Sequence, residues 1–151
     1  MTDSPADVLQ HYLVARSLAT LGGAGGTWPV FSNGEPNAPD NCITVYDTDG
    51  VDNGRAMIDG GDVGPMGIQV RVRAVNHATG WAKINAIKDN LESSNPAVGP
   101  YHYGPLTVNA RSYRIQCVVK IQDVIPLGKM VPQSRLSLFT FNAMIRIADL
   151  N

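Results

Sequence analysis

Charge is scarce in this chain: Asp, Glu, Lys and Arg make up 17% of its 151 residues, against roughly 25% in ordinary soluble domains. A disordered or charge-dominated polymer is thereby excluded, the more so because 44% of the residues are hydrophobic. Twelve basic and 13 acidic side chains leave a net charge of −1, without the dense lysine and arginine footprint that phosphate neutralisation requires, so nucleic acid is not the expected partner. No apolar run approaches the roughly 18 residues of a membrane-spanning helix. The start, Met1-Thr2-Asp3-Ser4-Pro5, has neither the basic residues nor the apolar stretch of a secretory signal, so a cytosolic origin is expected. Only two cysteines occur, Cys42 and Cys117, each in a strand-like apolar run, which points to buried free thiols rather than a disulfide framework. His11, His77 and His102 lack the paired spacing of zinc ligands, and no G-x-S-x-G elbow is present. No cofactor and no metal are expected.

Glycine and proline are plentiful, 15 and 10 residues, as in a chain of turns and long loops rather than a helix bundle. The length suits one domain, 1–151, able to bury a core of its own. Ser4, Pro5 and Asp7 form a helix start, with a cap, a proline at the first turn and an acid near the positive end of the dipole. Its apolar residues Val8, Leu9, Tyr12, Leu13, Val14, Leu18 and Leu21 predict a helix to about Leu21, stopped by Gly22 to Gly26. They occupy more than one face, and a neighbouring subunit is expected to cover the excess.

Trp28 to Phe31 reads as an edge strand because Pro29 has no N–H, and Cys42 to Tyr46 as a second strand rich in β-branched residues. Met66 to Ala74 alternates, with Ile68, Val70 and Val72 on one face and Gln69, Arg71 and Arg73 on the other. From Ala78 to Ser93 the period becomes helical through Trp81, Ile84, Ile87 and Leu91. Leu106 to Val108, Ser112 to Ile121 and Arg135 to Ile147 complete the strands, the first two joined by a tight turn at Asn109-Ala110. Long loops are expected near 32–41, 47–65, 95–105 and 125–134. The order is α-β-β-β-α-β-β-β, which predicts an α/β (α+β) two-layer domain: a mixed or antiparallel sheet of five or six strands with two helices on one face.

Two charge features call for a function. Asp47, Asp49, Asp52, Asp59 and Asp62 crowd one segment, but counting from Asp47 places Val51 at the fifth position of a calcium loop and Asp52 where its glycine belongs. No lysine follows before Lys83 to complete a nuclease site. A solvated acidic loop is the simplest reading. Residues 1–110 carry 6 basic and 11 acidic side chains, a net −5, whereas 111–151 carry 6 and 2, a net +4. Either these sets pair within one subunit, or the acidic loop of one copy meets a basic face of the next, drawn from Arg71, Arg73, Arg111, Arg114, Lys120 and Arg135.

The Ile43-Thr44-Val45-Tyr46-Asp47-Thr48 strand, the Ile68-Gln69-Val70-Arg71-Val72-Arg73 strand with the helix after it, and the closing alternation through Leu136, Leu138, Thr140, Asn142 and Met144 resemble a family of tailed-bacteriophage proteins, the minor capsid or tail terminator proteins. The resemblance implies a non-enzymatic structural protein of the virion. It would be assembled in the host cytoplasm and sit at the head–tail junction as a ring, commonly a homohexamer, that caps the tail tube and stops its polymerisation. The partners so implied are further copies of the chain, the tail tube protein and the head connector or stopper, with DNA only as passing cargo and no membrane. The acidic loop would then line the channel and keep DNA from sticking. Within the same class stand a head-side adaptor or a tail tube subunit; from another class, a metal-dependent phage enzyme using the Asp47–Asp62 cluster.

Overall fold

The structure, a computed structural model, describes residues 1–23, 25–50, 64–95, 97–100, 103–129 and 135–151. Helix α1 spans Pro5–Ala15 and starts as the sequence predicts: the Ser4 hydroxyl accepts the Asp7 N–H at 3.2 Å and donates to the Asp7 carboxylate at 3.1 Å. It ends six residues before the expected position. Ser17 takes a left-handed φ of 57°, the Ser17 N–H reaches the Val14 carbonyl at 2.9 Å and the Leu18 N–H the Leu13 carbonyl at 2.9 Å, a glycine-type C-cap built on serine. The freed residues Thr20–Leu21 become strand β1.

Strands β2 (Pro29–Ser32), β3 (Cys42–Thr48) and β4 (Met66–Ala74) precede helix α2 (His77–Glu92). After it come β5 (Tyr103–Val108), β6 (Arg111–Ile121), β7 (Ile125–Lys129) and β8 (Ser137–Asp149). Among the described residues one mixed sheet holds eight strands, in the order β1-β2-β3-β4-β8-β6-β5, with β7 also on β8. The expected five or six strands therefore become eight. The two-residue β1 pairs in parallel with β2, and the expected loop at 125–134 contains β7, which lies beside the first half of the 13-residue β8. Nor is β2 a free edge, since β1 and β3 flank it, both parallel. The other ladders are antiparallel. Asn109 and Ala110, with φ of 47° and 66°, make the two-residue turn between β5 and β6, the positive-φ pair whose twist suits a tight hairpin.

Both helices lie on one face. Helix α1 buries Ala6, Val8, Leu9, Tyr12 and Leu13 and packs against β1, β2 and β3 as well as against β5 at the opposite end, so the sheet curls around it. Helix α2 buries Gly80, Ile84, Ile87 and Leu91. Gly80, rather than the expected Trp81, holds the first core position: a Cβ there would lie 2.6 Å from Phe139 Cε2 and 2.8 Å from Ala74 Cβ, so the helix comes this close to β4 and β8 only without a side chain. Trp81 stays 42% exposed, edge-on to Phe139 at 5.9 Å. Facing the helices, Ile43, Val45, Ile68, Val70, Val72, Phe139, Phe141 and Ile145 are fully buried. Burying each such side chain is worth about 1.5–3 kcal/mol, which makes this one layer the main source of stability.

Candidate functional site: the helix-free face of the sheet

Strand alternation sends every second residue of β3, β4 and β8 away from the helices. Strand β6 follows with two register slips, between Ile115 and Cys117 and between Val118 and Lys120, so that Arg114 and Cys117 lie on the same face. At the centre of that face three amides form a chain across the sheet: Gln69 Nε2 donates to Asn142 Oδ1 at 3.0 Å, and Asn142 Nδ2 donates to Gln122 Oε1 at 3.0 Å. They line an open cavity of about 460 Å³ together with Thr48, Asp49, Gly67 and Met144. Among the described residues its side chains offer hydrogen-bonding groups and one exposed carboxylate, Asp49.

At one end of the face stands Arg73, whose side chain is only 4% exposed. Its Nη1 pairs with Glu35 Oε1 at 3.1 Å, its Nη2 donates to the Pro39 carbonyl at 2.7 Å and its Nε to that of Asp40 at 3.3 Å. Arg71 Nη1 takes the other Glu35 oxygen at 3.1 Å and its guanidinium lies over the Tyr46 ring at 5.2 Å. The segment between β2 and β3 is thus strapped across the sheet by two arginines and one glutamate. Burial raises the Tyr46 hydroxyl pKa, and burial likewise raises that of the Cys42 thiol, against the opposing pull of Arg73. Cys42 is accordingly an inert core thiol, and Cys117 is a free, half-buried one.

At the other end Arg114 of β6 and Arg146 of β8 are half-buried, and the Nε of each is enclosed with no hydrogen-bond partner. Arg111, in the same hairpin, reaches Asp149 at 3.6 Å, and Asp149 also faces the N-terminal ammonium at 3.9 Å. Arg135 is exposed, and the Lys120 side chain lies outside the described residues.

The aspartates do not form one group. Asp47 accepts the Ala6 N–H of α1 at 2.8 Å and the Asn33 amide at 2.6 Å, while its own N–H donates to Asn33 at 2.8 Å, so its carboxylate ties the helix start to β3. Asp49 is exposed, and Asp52, Asp59 and Asp62 lie outside the described residues. Among the described residues no three His, Cys, Asp or Glu side chains gather around a metal position.

Beside this face, all five residues of β7 are exposed, Ile125 and Leu127 to 47%. Pro126 removes a donor, Gly128 has a φ of 79°, and the register slips between them, all features that discourage a further strand from pairing there. Sequence reasoning missed Glu35, which sits in a turn-rich segment without periodicity. It also missed Arg146 as a site residue, although the period-two run Leu138, Thr140, Asn142, Met144, Arg146 marks the face.

No curated protein matches the chain. Among solved structures, a chain from the virion of a native gene transfer agent particle matches with a TM-score of 0.44 and 15% identity, over 93% of this chain and 91% of that one. A family model described as bacteriophage tail terminator protein matches residues 12–122, well over half of the chain. The protein belongs to the bacteriophage tail terminator family, a family of structural proteins of the virion tail.

Proposed function

We propose that copies of this chain form a ring, a homohexamer, that caps the finished tail tube, stops its polymerisation and joins the tail to the head connector or stopper at the head–tail junction. The ring is assembled in the host cytoplasm, and DNA passes through it as cargo. The observation that carries this reading is the broad polar sheet face, over which the described residues place no helix, in a member of the tail terminator family. Such a face offers amides and guanidinium groups to neighbours, the chemistry of the polar part of an interface. The mechanism is steric: one rim of the ring covers the last ring of the tube, and the other receives the connector. In this reading Asp49, with Asp52, Asp59 and Asp62, borders the channel and repels DNA, whereas Asp47 serves the fold.

The test is co-purification with tail tubes followed by electron microscopy of their ends. A single added ring at one end, with tubes of limited length, is the expected result. Stacks of many rings would identify a tube subunit instead, and density only on head portals a head-side adaptor. A cryo-EM ring with residues 49–62 on its outer wall would remove the channel role of the aspartates.

A further inference from the structure

We propose that Arg114 and Arg146 form a seat for a carboxylate side chain of a second copy of this chain, the contact that places one subunit beside the next. The inference rests on the ring reading and specifies its interface. Arg114 lies opposite Ala148 in the β6–β8 ladder and Arg146 opposite Cys117, which makes the two arginines diagonal neighbours on the helix-free face. Like charges at such positions repel, and neither Ala148 nor Cys117 supplies an acceptor for them. Both Nε groups are enclosed without a partner, and among the described residues neither arginine enters an ion pair. Arg71 Nε is enclosed in the same way, so what sets this pair apart is the missing acid. The Nη ends of the two half-buried guanidinium groups are left to meet a carboxylate, and arginine surrenders its hydration more readily than lysine does.

The charge balance points to the occupant. The chain is nearly neutral, with 12 basic and 13 acidic side chains, so cations left over at one place imply acids left over at another. Asp40, Asp49 and Asp89 are exposed and in no ion pair among the described residues. A head-to-tail contact brings the two remainders together and repeats around a ring. DNA phosphate is the poorer fit, because two arginines on a chain of net charge −1 do not make a nucleic-acid footprint.

The experiment is sedimentation velocity and native mass spectrometry of the full chain, alone and with tail tubes, over a range of NaCl concentrations. Arg114→Gln and Arg146→Gln should each raise the dissociation constant of the ring by about ten-fold or more and flatten its salt dependence. Replacement of both arginines by lysine should restore part of the loss, and Lys129→Gln should change little. The reversal Arg114→Glu/Arg146→Glu should give monomers with an unchanged circular dichroism spectrum; if that protein does not fold, the glutamine variants decide. A ring indifferent to these variants overturns the inference and leaves the ring reading in place. A wild-type chain that stays monomeric even on tail tubes overturns both. Unaltered rings that lose retention of a fluorescent DNA duplex would assign the pair to phosphate and overturn the proposal.

Discussion

Two pairs of arginines share the helix-free face, and the fold uses them differently. Arg71 and Arg73 neighbour each other along β4, and the turn-rich segment before β3 folds back to give them Glu35 and the carbonyls of Pro39 and Asp40. Arg114 and Arg146 sit on β6 and β8 among small neighbours, and among the described residues no acid is brought to them. The strand pattern gave both pairs the same exposure; only a tertiary contact separated them. A charged residue on a strand is therefore assigned to fold or to assembly by what the loops bring to it.

The sharpest way to break this comparison is to remove the shared acid. Glu35→Ala leaves Arg73 buried without a counter-charge and should cost about 3 kcal/mol, the effect of deleting one partner of a buried pair. Arg114→Gln and Arg146→Gln should each stay within about 0.5 kcal/mol, because no internal partner is lost. Urea denaturation of the three variants under conditions that keep the chain monomeric measures both numbers, and equal costs would erase the distinction.

A smaller effect comes from making the second pair resemble the first. Ala148→Glu places a carboxylate opposite Arg114 on the same face, a cross-strand opposite-charge pair worth about 0.5 kcal/mol. The variant should melt slightly higher yet associate more weakly, since its own carboxylate would occupy the seat proposed for a neighbour's. Stronger association together with higher stability would show that Arg114 faces no partner acid.

The elements most legible in the sequence were those whose local chemistry and tertiary role agree. The Ser4-Pro5-Asp7 start of α1, the β4 alternation and the Asn109-Ala110 turn lie where the residues place them. Strands β1 and β7 were illegible because neither has a pattern of its own: each is short and owes its strand form to the neighbour beside it. The early end of α1 was hidden because serine in a left-handed conformation carries no stop signal, whereas the glycines farther on do. In the site, Arg71 and Arg73 were visible as a polar stripe, but Glu35, on a segment without periodicity, was not. Asp47 was grouped with its acidic neighbours in sequence, although its carboxylate serves the start of α1.

The smallest predicted effect concerns how the Arg114 end is itself held. The β5–β6 hairpin is tied to the chain start by Asp3, whose carboxylate accepts the Asn109 amide at 2.7 Å and the Tyr113 hydroxyl at 2.7 Å. The hydrogen bond from Asn109, and after it that from Tyr113, holds the Asp3 pKa below the ordinary carboxylate value. A carboxyl group depressed in the folded state contributes its stability in full above the unfolded-state pKa and loses it as the pH falls through the folded one. Acidification through and below the usual carboxylate range should therefore weaken the hairpin, and Asp3→Asn should flatten that part of the dependence. The variant should be the less stable protein at neutral pH, and its urea midpoint should converge with the wild-type value at the acid end. If the two curves instead run parallel, the titration of Asp3 adds nothing to the hold on the Arg114 end, which the β6–β8 ladder and the packing of Tyr113 and Ile115 then supply.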